Sequence, residues 1–423
     1  MSLRSMWHQV RQRERKHTWV GPFIALVVLL FLGDFAVAPG RSLLSVYAEA
    51  VLEQPPYFTS TLLSVQTLFG AIAALVGGGL ADTLGQKRVM ILGASGLPLV
   101  GLVFLLGSPL ALMVLWVYIG FTIGLYTIGR QSYMMAAVPP QYLGLATALI
   151  FTGLTLGSAL GNALAAPVVD KFGFATLGVG ILAVASLVFL VGLLAMPDMR
   201  ADRRGLKSEQ SFAGYLHILR RPGVLLVGVV RVLPTSYWGT ATLLMPLLIY
   251  RAADRPSAAA YYGTASLLFA SACQLLTGRI CDRYGRRRLL VMLTGLISVI
   301  SLLTSLFTKS LAGLYICGIL GAGIAWSLST TIPGLVSDVA PREEHGRTLG
   351  LMHVFWSIGM LAGTQVGGWL VDVNSSLPFL VMGSVNILTV VSALALAPRL
   401  DHAREVRACS VEEVVEGEYA EEQ

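Results

Sequence analysis

The chain has 423 residues, 55% hydrophobic and 13% charged, with a mean hydropathy of +0.73 and a formal net charge of +7. Soluble domains carry about 25% charged residues, so this composition excludes a water-soluble globular protein and places most of the chain in lipid. The positive balance reflects where lysine and arginine stand between apolar runs, and it implies no nucleic-acid partner.

In chain order, residues 1–20 are basic and hold Trp7 and Trp19, a pattern suited to the anionic inner leaflet. The apolar run that follows is too long for a cleaved secretory signal and lacks a small-residue cleavage site. Twelve apolar runs lie near 20–47, 58–81, 89–107, 110–138, 146–168, 174–195, 223–248, 259–281, 289–308, 312–339, 349–371 and 377–398. Each approaches the roughly 20 residues that a helix needs to cross ~30 Å of hydrocarbon. Continuous runs of this length read as helices, because lipid leaves the backbone no other partner.

An arginine-rich interruption bisects the chain. The predicted organisation is a basic segment (1–20), a six-helix bundle (21–197), a linker (198–221), a second six-helix bundle (222–398) and an acidic tail (399–423). With the N-terminus inside, 23 of the 30 lysines and arginines fall in cytoplasmic segments and 4 in outer loops. This positive-inside asymmetry predicts a multi-pass cell-membrane protein with both termini cytoplasmic.

One loop is written twice. Gly78-Gly79-Leu80-Ala81-Asp82-Thr83-Leu84-Gly85-Gln86-Lys87-Arg88 returns as Gly278-Arg279-Ile280-Cys281-Asp282-Arg283-Tyr284-Gly285-Arg286-Arg287-Arg288, at an offset of 200. Pro139 and Gly144 recur as Pro341 and Gly346, at an offset of 202. Repetition across the midpoint means two related halves, and in membrane proteins such halves usually flank a solute site. Glycines at 153, 157 and 161 in the fifth run, and at 359, 363 and 367 in the eleventh, are spaced by four. That spacing puts each set on one face, where backbones can approach closely.

The G-x-L-A-D-x-x-G-x-K-R pattern, between the second and third runs and again between the eighth and ninth, resembles the loop motif of the major facilitator superfamily. Thr83 departs from the pattern, in which an arginine commonly follows the aspartate, whereas Arg283 keeps it. The resemblance covers essentially the whole chain. It implies an all-α fold of twelve transmembrane helices in two pseudo-symmetric six-helix bundles, and transport rather than enzymatic activity. It also implies a conformational switch at Gly78, Asp82, Gly85, Lys87, Arg88, Gly278, Asp282, Arg283, Gly285, Arg287 and Arg288. Asp82 would face the start of the eleventh helix near Gly346 and Arg347, and Asp282 the start of the fifth near Gly144. A carboxylate at a helix N-terminus gains about 0.3–1 kcal/mol, although both aspartates could instead cap turns. The fifth run also resembles the antiporter signature G-x-x-x-G-P-x-x-G, with Ser158 in place of the proline, which leans towards export.

Embedded ionisable residues are the candidates for chemistry, since a charge at mid-bilayer depth costs about 2.5–3.5 kcal/mol or more unless it faces protein or water. Asp34, the lone acid deep in an apolar run, is the candidate proton carrier or, beside an arginine, a permanent ion-pair partner. Arg41, Arg130 and Arg231 fall in the first, fourth and seventh runs, which line the cavity in the superfamily, and arginine forks suit anionic groups. Arg41 could equally snorkel to the outer interface. His353 is a second proton-relay candidate or a packed histidine. Tyr126, Trp238 and Trp326, with Tyr133 and Tyr237, could line an aromatic cavity or simply pack.

The expected partners are a small-molecule solute, protons and the bilayer, with no nucleic acid, no cofactor and no metal, and the chain is expected to be a monomer. Cys273, Cys281, Cys317 and Cys409 form no disulfide or metal pattern. No nucleotide loop G-x-x-x-x-G-K-[ST] is present, so ATP is not expected to drive transport directly. The preferred reading is proton-coupled efflux of a lipophilic or amphiphilic compound. The alternatives are organic-anion uptake or exchange through Arg130 and Arg231, or a lipid-handling or sensor protein on the same scaffold.

Overall fold

A computed structural model of the chain describes residues 19–139, 142–198, 217–284, 286–341, 344–396 and 398. Every regular element among them is a helix. Helix α1 covers Val20–Ser42 and, after a turn at Leu43, continues as Leu44–Ala50. Pro39 lies inside it, and the Leu43 N–H returns to the Pro39 carbonyl at 2.9 Å. Helix α2 is Pro56–Leu84, and α3 is formed by Gln86–Ala94 and Leu97–Leu106. Helix α4 is Pro109–Ala137.

Leu143–Ala195 is assigned as one run of 53 residues, roughly 80 Å at 1.5 Å per residue, more than twice the hydrocarbon thickness. Gly173 breaks it at φ 76°, ψ 178°, a backbone that only glycine adopts without strain. The run is therefore two crossings, α5 (143–172) and α6 (174–195).

Next come α7 (Pro222–Ala253), α8 (Pro256–Tyr284), α9 (Arg286–Leu306), α10 (Leu311–Val339), α11 (His345–Leu370) and α12 (Leu377–Leu396). Ten helical stretches among the described residues are long and apolar enough to cross a membrane, with α5 and α6 counted as one. Helix α8 is as long as α10, 29 residues, but is less apolar and falls outside that set. Twelve helices result, at the positions of the twelve apolar runs.

Local chemistry sets the boundaries, and it repeats. The Ser108 hydroxyl accepts the Ala111 N–H at 3.4 Å and caps α4; Ser310 accepts from Gly313 at 3.2 Å and caps α10. These serines lie 202 residues apart, the same offset as the duplicated Pro–Gly loops. Ser and Pro at these starts satisfy or remove N–H groups that a helix cannot use. Leucines on the periphery stand outward: Leu75, Leu110 and Leu194 are 74%, 75% and 80% exposed. An apolar exterior of this kind is what a lipid solvent requires.

The chain divides into two compact units. One comprises residues 1–207 with Pro246–Leu268; the other comprises Ser208–Met245 with residues 269–423. In the first unit, the Gly153, Gly157 and Gly161 face of α5 lies directly on α1. A methyl group added at Gly157 or Gly161 would collide with the carbonyl oxygens of Phe31 and Phe35. In the second unit the same arrangement recurs between α11 and α7: a methyl at Gly359 or Gly363 would meet the carbonyls of Val232 and Ser236. Thr240 reinforces that seam by donating to the Gly363 carbonyl at 2.8 Å. Small residues let helix backbones touch where no hydrophobic force between helices exists. Through these contacts α1 and α7 match at an offset of 201 (Phe31 with Val232, Phe35 with Ser236), so Asp34 corresponds to Thr235.

Candidate functional site

In the first unit the charges gather around Asp34. Its side chain is 14% exposed, and Arg41, two turns further along α1, reaches back so that Nη2 donates to Oδ1. Ser158 of α5 also donates to Oδ1, at 3.4 Å. The residue that replaces the signature proline therefore touches the embedded carboxylate, next to the glycine that brings α5 onto α1. Arg130 sits over the Tyr126 ring at 5.8 Å, within cation–π range. Tyr126 and Tyr133 are buried at 5% and 0% exposure, as packing residues. Of the two readings open for Asp34, the structure provides the arginine neighbour.

In the second unit a cavity of about 140 Å³ opens between α7, α10 and α11, lined among others by Arg231, Thr235, Trp238, Trp326, Ser329 and Trp356. Arg231 Nη1 donates to Ser329 Oγ at 2.8 Å, and its Nε is buried without a partner. Trp238 and Trp326 meet edge-to-face, centroids 6.1 Å apart. The Trp326 indole N–H is also buried and unpartnered. His353 is exposed and stacks on Trp356 at 5.4 Å. Tyr237 is fully buried beside Gly321 rather than on the cavity wall. Trp238, Trp326 and Arg231 thus come together, whereas Arg41, Arg130 and Tyr126 belong to the Asp34 cluster.

Further ion pairs lie at the helix ends. Arg251 at the end of α7 grips Glu49 of α1 with two bonds, at 2.7 and 2.5 Å. Asp170 of α5 accepts the Ser257 N–H, at 3.0 Å, at the start of α8. All four residues belong to the first unit, so these bonds tie the 246–268 segment to α1 and α5. In the second unit, Arg221 meets Glu344 at 2.9 Å, and Arg286 holds both Asp338 oxygens at 2.9 Å and the Gly334 carbonyl at 3.3 Å.

A model of the Major Facilitator Superfamily matches residues 26–333 and 236–410. The chain belongs to this superfamily. It is 26% identical over 269 residues to a chloramphenicol efflux pump of Mycobacterium tuberculosis, covering 60% of this chain and 62% of that one. It is 28% identical over 176 residues to the class H tetracycline resistance protein of Pasteurella multocida, covering 40% and 43%. The matches span 62% and 43% of these curated relatives' lengths. Among solved structures, a POT family transporter bound to a thioalcohol-conjugated peptide superposes with TM-score 0.73 at 14% identity, covering 89% of this chain and 96% of that one. The nucleoside transporter NupG gives 0.70 at 14% identity, with 90% and 99% covered. The fold is that of multi-pass membrane transporters, and the superfamily is one of transporters, not enzymes.

In this superfamily member the loop motif terminates α2 at Gly85, whose φ of 94° favours glycine and turns the chain into α3. Lys87 is half-buried, while Arg88, Arg283, Arg287 and Arg288 are exposed. Gly278 leaves open space for a methyl group. The side chains of Asp82 and Asp282, and Gly78 and Gly285, lie outside the described residues, as do the loop positions Gly144, Gly346 and Arg347.

Arg286, which the sequence pattern passed over because position 86 is Gln, makes contacts outside the loop. Asp338, its partner, was visible as an acid near the end of the tenth apolar run. Asp338 is 8% exposed on its side chain, and Arg286 is 34% exposed. Arg286→Gln is expected to lower the thermal stability of detergent-purified protein by ~1–3 kcal/mol, since two charge-assisted bonds to a buried carboxylate are lost. Arg288→Gln, at an exposed neighbour, should leave the unfolding midpoint unchanged.

Proposed function

We propose that the protein is a secondary active exporter of an amphiphilic small molecule, working by alternating access and coupled to protons at Asp34. The observation that carries this reading is the Asp34 cluster: a half-buried carboxylate inside a membrane helix, held by Arg41 and touched by Ser158 of the signature face. An embedded acid is retained at a cost, and a proton relay is one of its uses. Protonation would neutralise Asp34 and release Arg41, so the pair can alternate between proton and solute. The printed names of the relatives, a chloramphenicol efflux pump and a tetracycline resistance protein, support export.

In this reading the two bundles, 21–197 and 222–398, are the moving halves, joined by the linker 198–221. Both termini are cytoplasmic, the membrane is the cell membrane, and the chain acts as a monomer. The Glu49–Arg251 pair and the Asp170 cap on α8 would then lie on the outer side and part during each cycle. The duplicated loops act on the opposite side. Asp82→Asn or Asp282→Asn is expected to reduce turnover at least fivefold while leaving membrane insertion intact, because a neutral side chain loses its attraction to a facing helix N-terminus. Turnover at the wild-type rate in both variants would leave the aspartates as turn caps.

The export reading is tested in cells producing the protein. Accumulation of chloramphenicol, tetracycline and other amphiphiles should fall relative to an empty-vector control for at least one compound, and a protonophore should restore it. Equal accumulation for every compound would count against export. A second reading, anion exchange, is favoured by one observation: among the described residues no acidic side chain pairs with Arg231.

A further inference from the structure

The cavity in the second unit has a composition that specifies more than apolarity. Its volume, about 140 Å³, is close to that of a protein cavity that holds one benzene molecule, and well below the roughly 300–1,000 Å³ of a drug-sized pocket. Three indoles, Trp238, Trp326 and Trp356, form its walls. Two of them stand edge-to-face, leaving ring faces and edges for a further aromatic group. Arg231 and the indoles bring only donors, and the Thr235 and Ser329 hydroxyls complete the polar lining. Arg231 contributes a guanidinium that spends Nη1 on Ser329 and keeps Nε buried and unused. Trp326 contributes a buried, unused N–H.

A buried donor with no acceptor costs about 1–3 kcal/mol, and two residues that line this cavity, Arg231 and Trp326, each carry one. No carboxylate among the described residues balances Arg231, and a guanidinium fork matches a planar oxyanion. Arg231 corresponds to Leu30 in the first half at the offset of 201, so this cation has no counterpart there.

We infer that this cavity is a subsite for a compact aromatic anion: a single ring between Trp238, Trp326 and Trp356, with its carboxylate on the Arg231 guanidinium. The ligand is then either a small aromatic acid or the aromatic-acid end of a larger amphiphile. This deepens the transport reading and rests on it only for the cavity's role as a solute site. It departs from a purely lipophilic substrate.

The test uses the full-length protein in detergent, titrated with benzoate and with benzamide, which shares the ring but carries no charge. Tryptophan fluorescence and the thermal midpoint are read. Benzoate should quench fluorescence saturably and bind at least tenfold more tightly than benzamide. Arg231→Gln should abolish that difference by weakening benzoate at least tenfold, with benzamide unaffected. Arg231→Lys should restore part of it, and Trp238→Ala should weaken both ligands.

Equal binding of acid and amide, an Arg231→Gln protein that binds benzoate like wild type, or no saturable benzoate binding would each overturn the assignment. The two readings fail separately. Loss of benzoate binding alongside reduced drug accumulation in cells sinks the subsite and leaves export standing. Arg231-dependent binding without drug export leaves the subsite standing and sinks the export reading.

Discussion

Asp34→Asn should abolish transport against a solute gradient while leaving the protein folded and able to bind. The substitution keeps the size and the hydrogen-bonding oxygen, so Ser158 retains an acceptor where it now donates at 3.4 Å. It removes the charge that holds Arg41. Arg41 is 41% exposed on its side chain, so the freed cation is not sealed inside the protein. The neutral residue mimics the protonated state permanently and cannot release a proton. Export driven by a pH gradient in membrane vesicles should therefore fall at least a hundredfold, whereas equilibrative exchange of solute should persist. Gradient-driven export at the wild-type rate would remove Asp34 from the coupling role and move attention to His353.

The second large effect is structural. Gly161→Leu in α5 and Gly363→Leu in α11 should each prevent recovery of folded protein, and the corresponding alanine substitutions should lower stability by ~1–3 kcal/mol or more. A methyl at Gly161 would collide with the Phe35 carbonyl, and one at Gly363 with the Ser236 carbonyl. Neither obstacle is a flexible side chain that can swing aside. The helices must separate, and the Thr240 bond to the Gly363 carbonyl is strained in the same movement. Gly180→Ala in α6, where nothing lies within reach of the added methyl, is the control and should be silent. Size-exclusion profiles and unfolding midpoints in detergent give the comparison.

The legible parts of this protein were those that lipid imposes directly. Runs of about 20 apolar residues have one structural solution, so the helices followed from hydropathy alone. The four-residue spacing of Gly153, Gly157 and Gly161 announced a close contact but not its partner. That partner is α1, and the repeat places α7 in the same role for α11. Helix α8 shows why hydropathy can weaken without the helix being lost. The Thr264 hydroxyl donates to the Ala159 carbonyl and the Thr277 hydroxyl to the Cys273 carbonyl, so this polarity is satisfied by protein contacts.

The candidate site was legible in part. Asp34 stood out as a lone acid, but whether Arg41 met it depended on a long side chain folding back over two turns, which spacing does not decide. The union of Arg231, Trp238 and Trp326 in one cavity, with Trp356 from a third helix, required tertiary structure. So did the Glu49–Arg251 and Arg286–Asp338 pairs, because polar residues at the ends of membrane helices are ordinary and only contact distinguishes them.

The central claim is that solute and proton movement are coupled through this chain. Purified protein reconstituted into liposomes carrying a trapped pH-sensitive dye measures it directly. Adding an amphiphile that the cells export should drive a proton flux that depends on the protein, saturates with solute and is absent in Asp34→Asn. Solute movement across the liposome membrane with no accompanying proton flux, in wild-type protein, would contradict the account.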